Sequence, residues 1–294
     1  MSLPRPSIVV RFTRLLASAA LLAAGLAAPV SAAPAPLESP GPSCGTVVTN
    51  GFGTGPGSLR AAVACAVNGQ TVTFNSSQTG NVIGLASEIP ITQSITIDGS
   101  GAPGVAADGA GASRVFNISA GGTVTLTHLI VQNGNAASGN GGALLAGSNL
   151  LVLDQVQVLS SSAANIGGGL YTGGGAIFTN TQFISNTSQN NAGGAWVNND
   201  ALVTGGRFER NTCAGAACQG GGLNVDGLTL SGTQFISNSA AGQGGGAWAN
   251  SAARLTNASF QDNKCTDSAC LGGGLYGSAR SILPRVTVSR SPHR

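Results

Sequence analysis

Two short signatures recur in phase along most of this chain, and that periodicity constrains the fold more than any other feature. The first is a glycine pair leading into a bulky residue. It occurs at Gly141-Gly142-Ala143-Leu144, Gly168-Gly169-Leu170, Gly193-Gly194-Ala195-Trp196, Gly221-Gly222-Leu223, Gly245-Gly246-Ala247-Trp248 and Gly273-Gly274-Leu275. The last glycines of these copies are 27, 25, 28, 24 and 28 residues apart. The second is Phe-x-x-Asn, at Phe183–Asn186, Phe208–Asn211, Phe235–Asn238 and Phe260–Asn263, spaced by 25, 27 and 25 residues. Degenerate copies extend it to Ile130-Val-Gln-Asn133 and Val286-Thr-Val-Ser289. Self-similarity at a fixed period marks a solenoid, in which each unit buries its apolar face only against its neighbours.

Each period divides into short strands. Gly246–Asn250, Ala253–Asn257 and Ala258–Asn263 are three brief runs that each end at Asn, a residue that tolerates the left-handed backbone of a sharp corner. The residue three before each Phe is Asn180, Gly205, Gly232 or Asn257, which predicts a corner there. Leu230 and Phe235, or Leu255 and Phe260, then point inward on either side of it. A helical solenoid would need long stripes of period 3.6, and a propeller blade or leucine-rich repeat has a different length or ladder. The expected fold is all-β: a right-handed parallel β-helix of the pectate-lyase-like type, with three short strands per coil of 24–28 residues. Its hand follows from the general rule for parallel crossovers. A chain with 46 Gly, 42% hydrophobic and only 4% aromatic residues suits many tight turns around a thin core.

Residues 44–74 read as an N-terminal cap with a short helix. Ser58 is the predicted helix N-cap, Leu59, Val63 and Val67 share one face, and Gly69 is the stop, before a first strand at Thr71–Phe74. The repeats occupy 75–290, and the absence of a matching cap around Pro284–Arg294 reads as a truncated product. Ahead of the cap, Arg5, Arg11 and Arg14 precede an apolar run from Leu15 to Ala28, and Val30-Ser31-Ala32 offers small residues at the positions signal peptidase reads. Residues 1–32 are therefore expected to be a signal peptide of the general secretion route, cut after Ala32, with a Pro-rich linker at 33–43. That places the protein outside the cell or on its surface, with no membrane span after cleavage.

Three of the 13 basic residues fall in that leader, so the remainder carries ten basic and ten acidic groups. A near-neutral body argues against nucleic-acid or anionic-membrane partners. Six Cys in an exported chain read as disulfides. Cys213 and Cys265 both follow a Phe-x-x-Asn unit by two residues, and each has a Cys five positions on, which predicts the pairs Cys213–Cys218 and Cys265–Cys270. Cys44 and Cys65 remain, tying the N-terminal strand to the cap helix.

Catalytic chemistry is poorly supported. Polysaccharide cleavage on this fold needs clustered carboxylates or calcium ligands. Glu88, Asp98, Asp108, Asp154, Asp200, Glu209, Asp226, Asp262 and Asp267 are spread thinly, with no two at i, i+2 on one strand. His128 stands beside a core strand, and the Gly-rich runs lack the Lys-Ser/Thr of a phosphate loop. The sequence thus assigns no catalytic, cofactor-binding or metal-binding residue.

The tandem pairing of Gly-Gly-Ala-bulky units (141–144, 174–177, 193–196 and 245–248) with Phe-x-x-Asn resembles the repeats of chlamydial polymorphic outer membrane proteins, over about residues 44–290. Gly55-Pro-Gly-Ser-Leu-Arg-Ala61 is similar to a segment that opens many exported bacterial β-helix proteins. Trp at two of the Gly-Gly-Ala sites departs from the usual aliphatic residue. The resemblance implies a surface-displayed passenger, often an adhesin, carried in its relatives by an outer-membrane barrel that these residues do not contain. The function expected is non-enzymatic binding to a cell-surface or matrix protein or polysaccharide. An inert spacer and a polysaccharide lyase or hydrolase are the alternatives. Trp196 and Trp248 hold one repeat position two coils apart and are the candidate binding face; alternation alone leaves open whether they point out or in.

Overall fold

The computed structural model describes residues 44–268, 270–277 and 287–289. The predicted signal peptide and linker, and most of the stretch around Pro284–Arg294, lie outside these residues. What is described is a right-handed parallel solenoid of about nine turns with three principal strands per coil. Among the described residues no helix is long and apolar enough to cross a membrane.

The coil closed by Leu223–Val225, Leu228–Ser231 and Gln234–Ile236 shows the plan. Its three strands belong to three parallel sheets of eight, nine and nine strands among the described residues, called here the first, second and third sheets. A fourth ladder of six two-residue strands, from Asn135–Ala136 to Lys264–Cys265, follows the third sheet. The sequence pattern did not announce this ladder. Inward and outward residues alternate on most strands, so Leu228 and Leu230 are buried while Thr229 is exposed.

Inside, identical residues stack. Phe183, Phe208, Phe235 and Phe260 pair in register, their ring centroids 4.9, 4.8 and 4.8 Å apart and nearly parallel. Asn186, Asn211, Asn238 and Asn263 form a fully buried amide ladder. The backbone N–H and side-chain Nδ2 of Asn186, Asn211 and Asn238 each donate to the Oδ1 of the next Asn, as from Asn211 to Asn238 at 3.0 and 2.9 Å. The other Nδ2 proton reaches a core carbonyl, as from Asn211 to Phe183 at 2.8 Å. Ser161 continues the ladder, its N–H donating to Asn186 Oδ1 at 3.0 Å and its hydroxyl accepting from Gly134 N–H. Parallel stacking at one register satisfies every one of these groups.

The predicted corner is present: Asn180, Gly205, Gly232 and Asn257 are left-handed, with φ of 48–67°. Several sequence expectations need correction. Of Asn250, Asn257 and Asn263, only Asn257 is left-handed; the corner before Asn263 is turned by Asp262, which frees the Asn for the ladder. Val131, not Ile130, stacks under Val158 and Phe183, and Val288, not Val286, pairs with Phe260. The Gly174–Ile177 unit opens the second sheet, with Ala176 and Ile177 opposite Ala201 and Leu202, so it is not a copy of Gly193–Trp196. In the first copy Ala143 holds the place of the last glycine, since Leu144 pairs with Leu170.

At the N-terminus, Ser58 Oγ accepts from Ala61 N–H and caps the helix Leu59–Cys65. That helix ends at Ala66, short of Gly69, and Val67 is 58% exposed and does not join Leu59 and Val63 in the core. The first strand is Val47–Val48, before the helix, pairing with Thr71–Phe74. Cys44–Cys65 ties this entry strand to the helix, with 5.4 Å between Cα atoms.

The other disulfides join Cys213 to Cys218 and Cys265 to Cys270. Cys213 and Cys265 share one column through Ala240. The first staple is not a surface feature: Cys213 and Cys218 are both 2% exposed, in a satellite cluster with Ala240. Peptide mapping without reduction should recover each five-apart pair inside a single tryptic peptide. A Cys213–Cys265 cross-link would contradict the register. Closing such a short loop contributes about 2 kcal/mol on the chain-entropy model, and the Cys213→Ser/Cys218→Ser double variant also buries two hydroxyls, so it should lose more than about 2 kcal/mol.

Candidate functional site

The first sheet carries the chain's distinctive outer surface. Its glycine runs set the geometry: Gly220, Gly244 and Gly272 are left-handed, with φ of 63–71°, and turn the chain sharply into each strand. The next residue but two points inward, as Leu170, Ala195, Leu223 and Ala247 do, and the one after it points out. Up the stack in register, that outward column holds Leu145, Tyr171, Trp196, Asn224, Trp248 and Tyr276. The chain has two Trp and two Tyr, and all four stand in this column. Most Phe side chains go the other way, into the core.

Trp196 and Trp248 are therefore outward and half-buried, two coils apart, with Asn224 between them but buried, its Nδ2 donating to Gln219 O at 3.3 Å. The Nε1 atoms of both indoles are buried and lack a partner, so the accessible part of each ring is carbon. Between them lies an open groove of about 370 Å³, whose rim carries Asn198, Asp226 and Asn250. Asn250 Nδ2 donates to Asp226 Oδ1 at 3.0 Å and Ser251 Oγ donates to the same oxygen at 3.1 Å. The groove thus combines the carbon of two indoles, a buried amide between them and a rim of amides around one carboxylate.

The sequence pattern did not bring out Tyr171 and Tyr276. The signal is present, because both follow Gly-Gly-Leu at the spacing at which each Trp follows Gly-Gly-Ala. The difference between Ala and Leu before the aromatic residue hides the shared position.

Glu88, Asp108 and Glu209 are each held by local partners. Glu88 is held by Arg114 Nη1 at 3.0 Å and Asn117 Nδ2 at 2.8 Å. Asp108 accepts from Gln132 and Asn133, and Glu209 pairs with Arg207 and Arg210. His128 turns a left-handed corner. Its Nδ1 lies 2.7 Å from Thr127 Oγ1 and 3.7 Å from Asp98, and its Nε2 lies 2.9 Å from the Gln155 amide. Hydroxyl and carboxylate thus meet the same ring nitrogen, so the imidazole does not relay between them as a nucleophile–base–orienter triad requires. Among the described residues no group of three His, Cys, Asp or Glu is placed to hold a metal ion. Comparison of the chain with protein-family models, curated proteins and solved structures finds no match.

Proposed function

We propose that this chain is an exported, non-enzymatic solenoid that adheres to cell surfaces or extracellular matrix through the outer face of its first sheet. The observation that carries the reading is the confinement of every Trp and Tyr to one outward column. Aromatic side chains displayed on a rigid scaffold supply large contact area at low entropic cost. Glu88, Asp108 and Glu209 are engaged with local amide and Arg partners rather than with one another, which supports binding over turnover. The disulfides fit an oxidising compartment. The adhesin reading also draws on the resemblance to chlamydial surface passengers, which rests on the repeat residues alone.

The test measures two quantities in one incubation: protein retained on cells or insoluble polysaccharide, and sugar released into solution. Retention without release is expected. Release of oligosaccharides would favour the lyase or hydrolase, and neither retention nor release would favour an inert spacer.

A further inference from the structure

We infer that the Trp196–Trp248 groove is a subsite for an extended, neutral, equatorially linked polysaccharide, such as a β-1,4-glucan or chitin-like chain, laid along the solenoid axis. The inference rests on the adhesive reading above and names its ligand class. The period of the column points to this class first. Successive outward residues are one strand spacing apart, about 4.8 Å, and one pyranose of an extended β-1,4 chain advances by nearly that distance. Tyr171 and Trp196 then match adjacent sugars, the sugar over the buried Asn224 has no side chain of its own, and Trp248 and Tyr276 match the two after it. A chain whose repeat departs far from this spacing would fall out of phase along the column.

The chemistry of the groove agrees. Each indole buries its Nε1 and exposes carbon, the surface that packs against the apolar C–H face of a pyranose. Asn198, Asp226 and Asn250 recur on the rim at the same coil spacing and offer amide and carboxylate groups to equatorial hydroxyls. Charge narrows the class further. The groove holds one carboxylate and no basic side chain, so uronate polymers such as pectate and alginate are repelled while neutral chains are not.

The two Trp are the chain's only indoles, so intrinsic fluorescence reports on the groove directly. Titration with cello- and chito-oligosaccharides should give a saturable emission change whose affinity rises with length until the sugar spans both Trp. Oligogalacturonate should give none. Loss of either indole, in Trp196→Ala or Trp248→Ala, should weaken binding by roughly tenfold. Tyr171→Ala should weaken it less. Affinity electrophoresis in a neutral-glycan gel reads the double Trp variant, and Trp196→Phe, which keeps a stacking face, should retain most of the affinity. Circular dichroism confirms that the variants are folded. Absence of any response to neutral oligosaccharides, or unchanged gel retardation of the double variant, overturns the inference. If the parent still adheres to cells in that case, the adhesive function stands without a glycan groove; if the parent adheres to nothing, the functional reading fails first.

Discussion

Asn238→Ala should be one of the most destabilising single substitutions available in the solenoid, lowering unfolding free energy by about 3–5 kcal/mol. The side chain is fully buried and makes four hydrogen bonds. Its Nδ2 donates to Phe208 O at 2.8 Å and to Asn263 Oδ1 at 2.9 Å. Its Oδ1 accepts from Asn211 N at 3.0 Å and Asn211 Nδ2 at 2.9 Å. Alanine leaves the Asn211 backbone N–H and amide without their acceptor in a site that water does not reach. Each buried group stranded in this way costs about 1–3 kcal/mol, and the losses are not fully additive. Asn238→Asp keeps the shape but turns an acceptor toward two acceptors, so it should be at least as harmful at neutral pH. Urea unfolding followed by circular dichroism measures both. A loss below about 1 kcal/mol for the alanine variant would mean that the ladder is not formed.

Gly221→Ala should cost more than about 4 kcal/mol, or prevent folding altogether. A Cβ on Gly221 would lie 2.3 Å from Gly245 O, 2.5 Å from Ser239 O and 2.6 Å from Ser239 C. All three are backbone atoms of the following coil, locked by parallel ladders on both sides, so no rotamer can relieve the contact. Gly232 is the internal control. It is left-handed at φ 67°, and a Cβ added there would meet nothing within 4 Å. Since Asn180 and Asn257 occupy equivalent corners, Gly232→Asn should be nearly neutral. Comparable losses in Gly221→Ala and Gly232→Asn would show that close approach of coils is not what excludes a side chain at Gly221. Unequal losses would show that close approach of coils is what excludes side chains at Gly221.

The contrast also explains which parts of the fold are legible in the sequence. Phe and Asn recur because each position stacks on its own copy, and stacking rewards like on like, so period and ladder can be read directly. The corner at Asn180, Gly205, Gly232 and Asn257 is legible because few residue types accept that backbone. Register is lost where the ladder residue changes. With Gly134 and Ser161 in the amide column, nothing in Leu129-Ile130-Val131 says which residue faces in, and the alignment slips by one. The fourth ladder has only two residues per strand, and its one distinctive signal, the shared position of Cys213 and Cys265, reads as a disulfide pattern rather than as a strand. The outward column is half legible: its two Trp stand out, while their direction depends on an inward Ala too small to mark the core face.

Everything rests on coils stacking in one register, and a distance measurement between spin labels tests that directly. Thr125, Val152, Ile177, Leu202, Thr229 and Arg254 form one outward column of the second sheet. Pairs of Cys labels at Thr125 and Thr229 span four coils, and at Thr125 and Arg254 five. Double electron–electron resonance should give mean distances near about 19 and about 24 Å, differing by one strand spacing. Distances that do not grow by one strand spacing when the label moves by one 25-residue coil would contradict the solenoid, and with it the column on which the binding proposal stands.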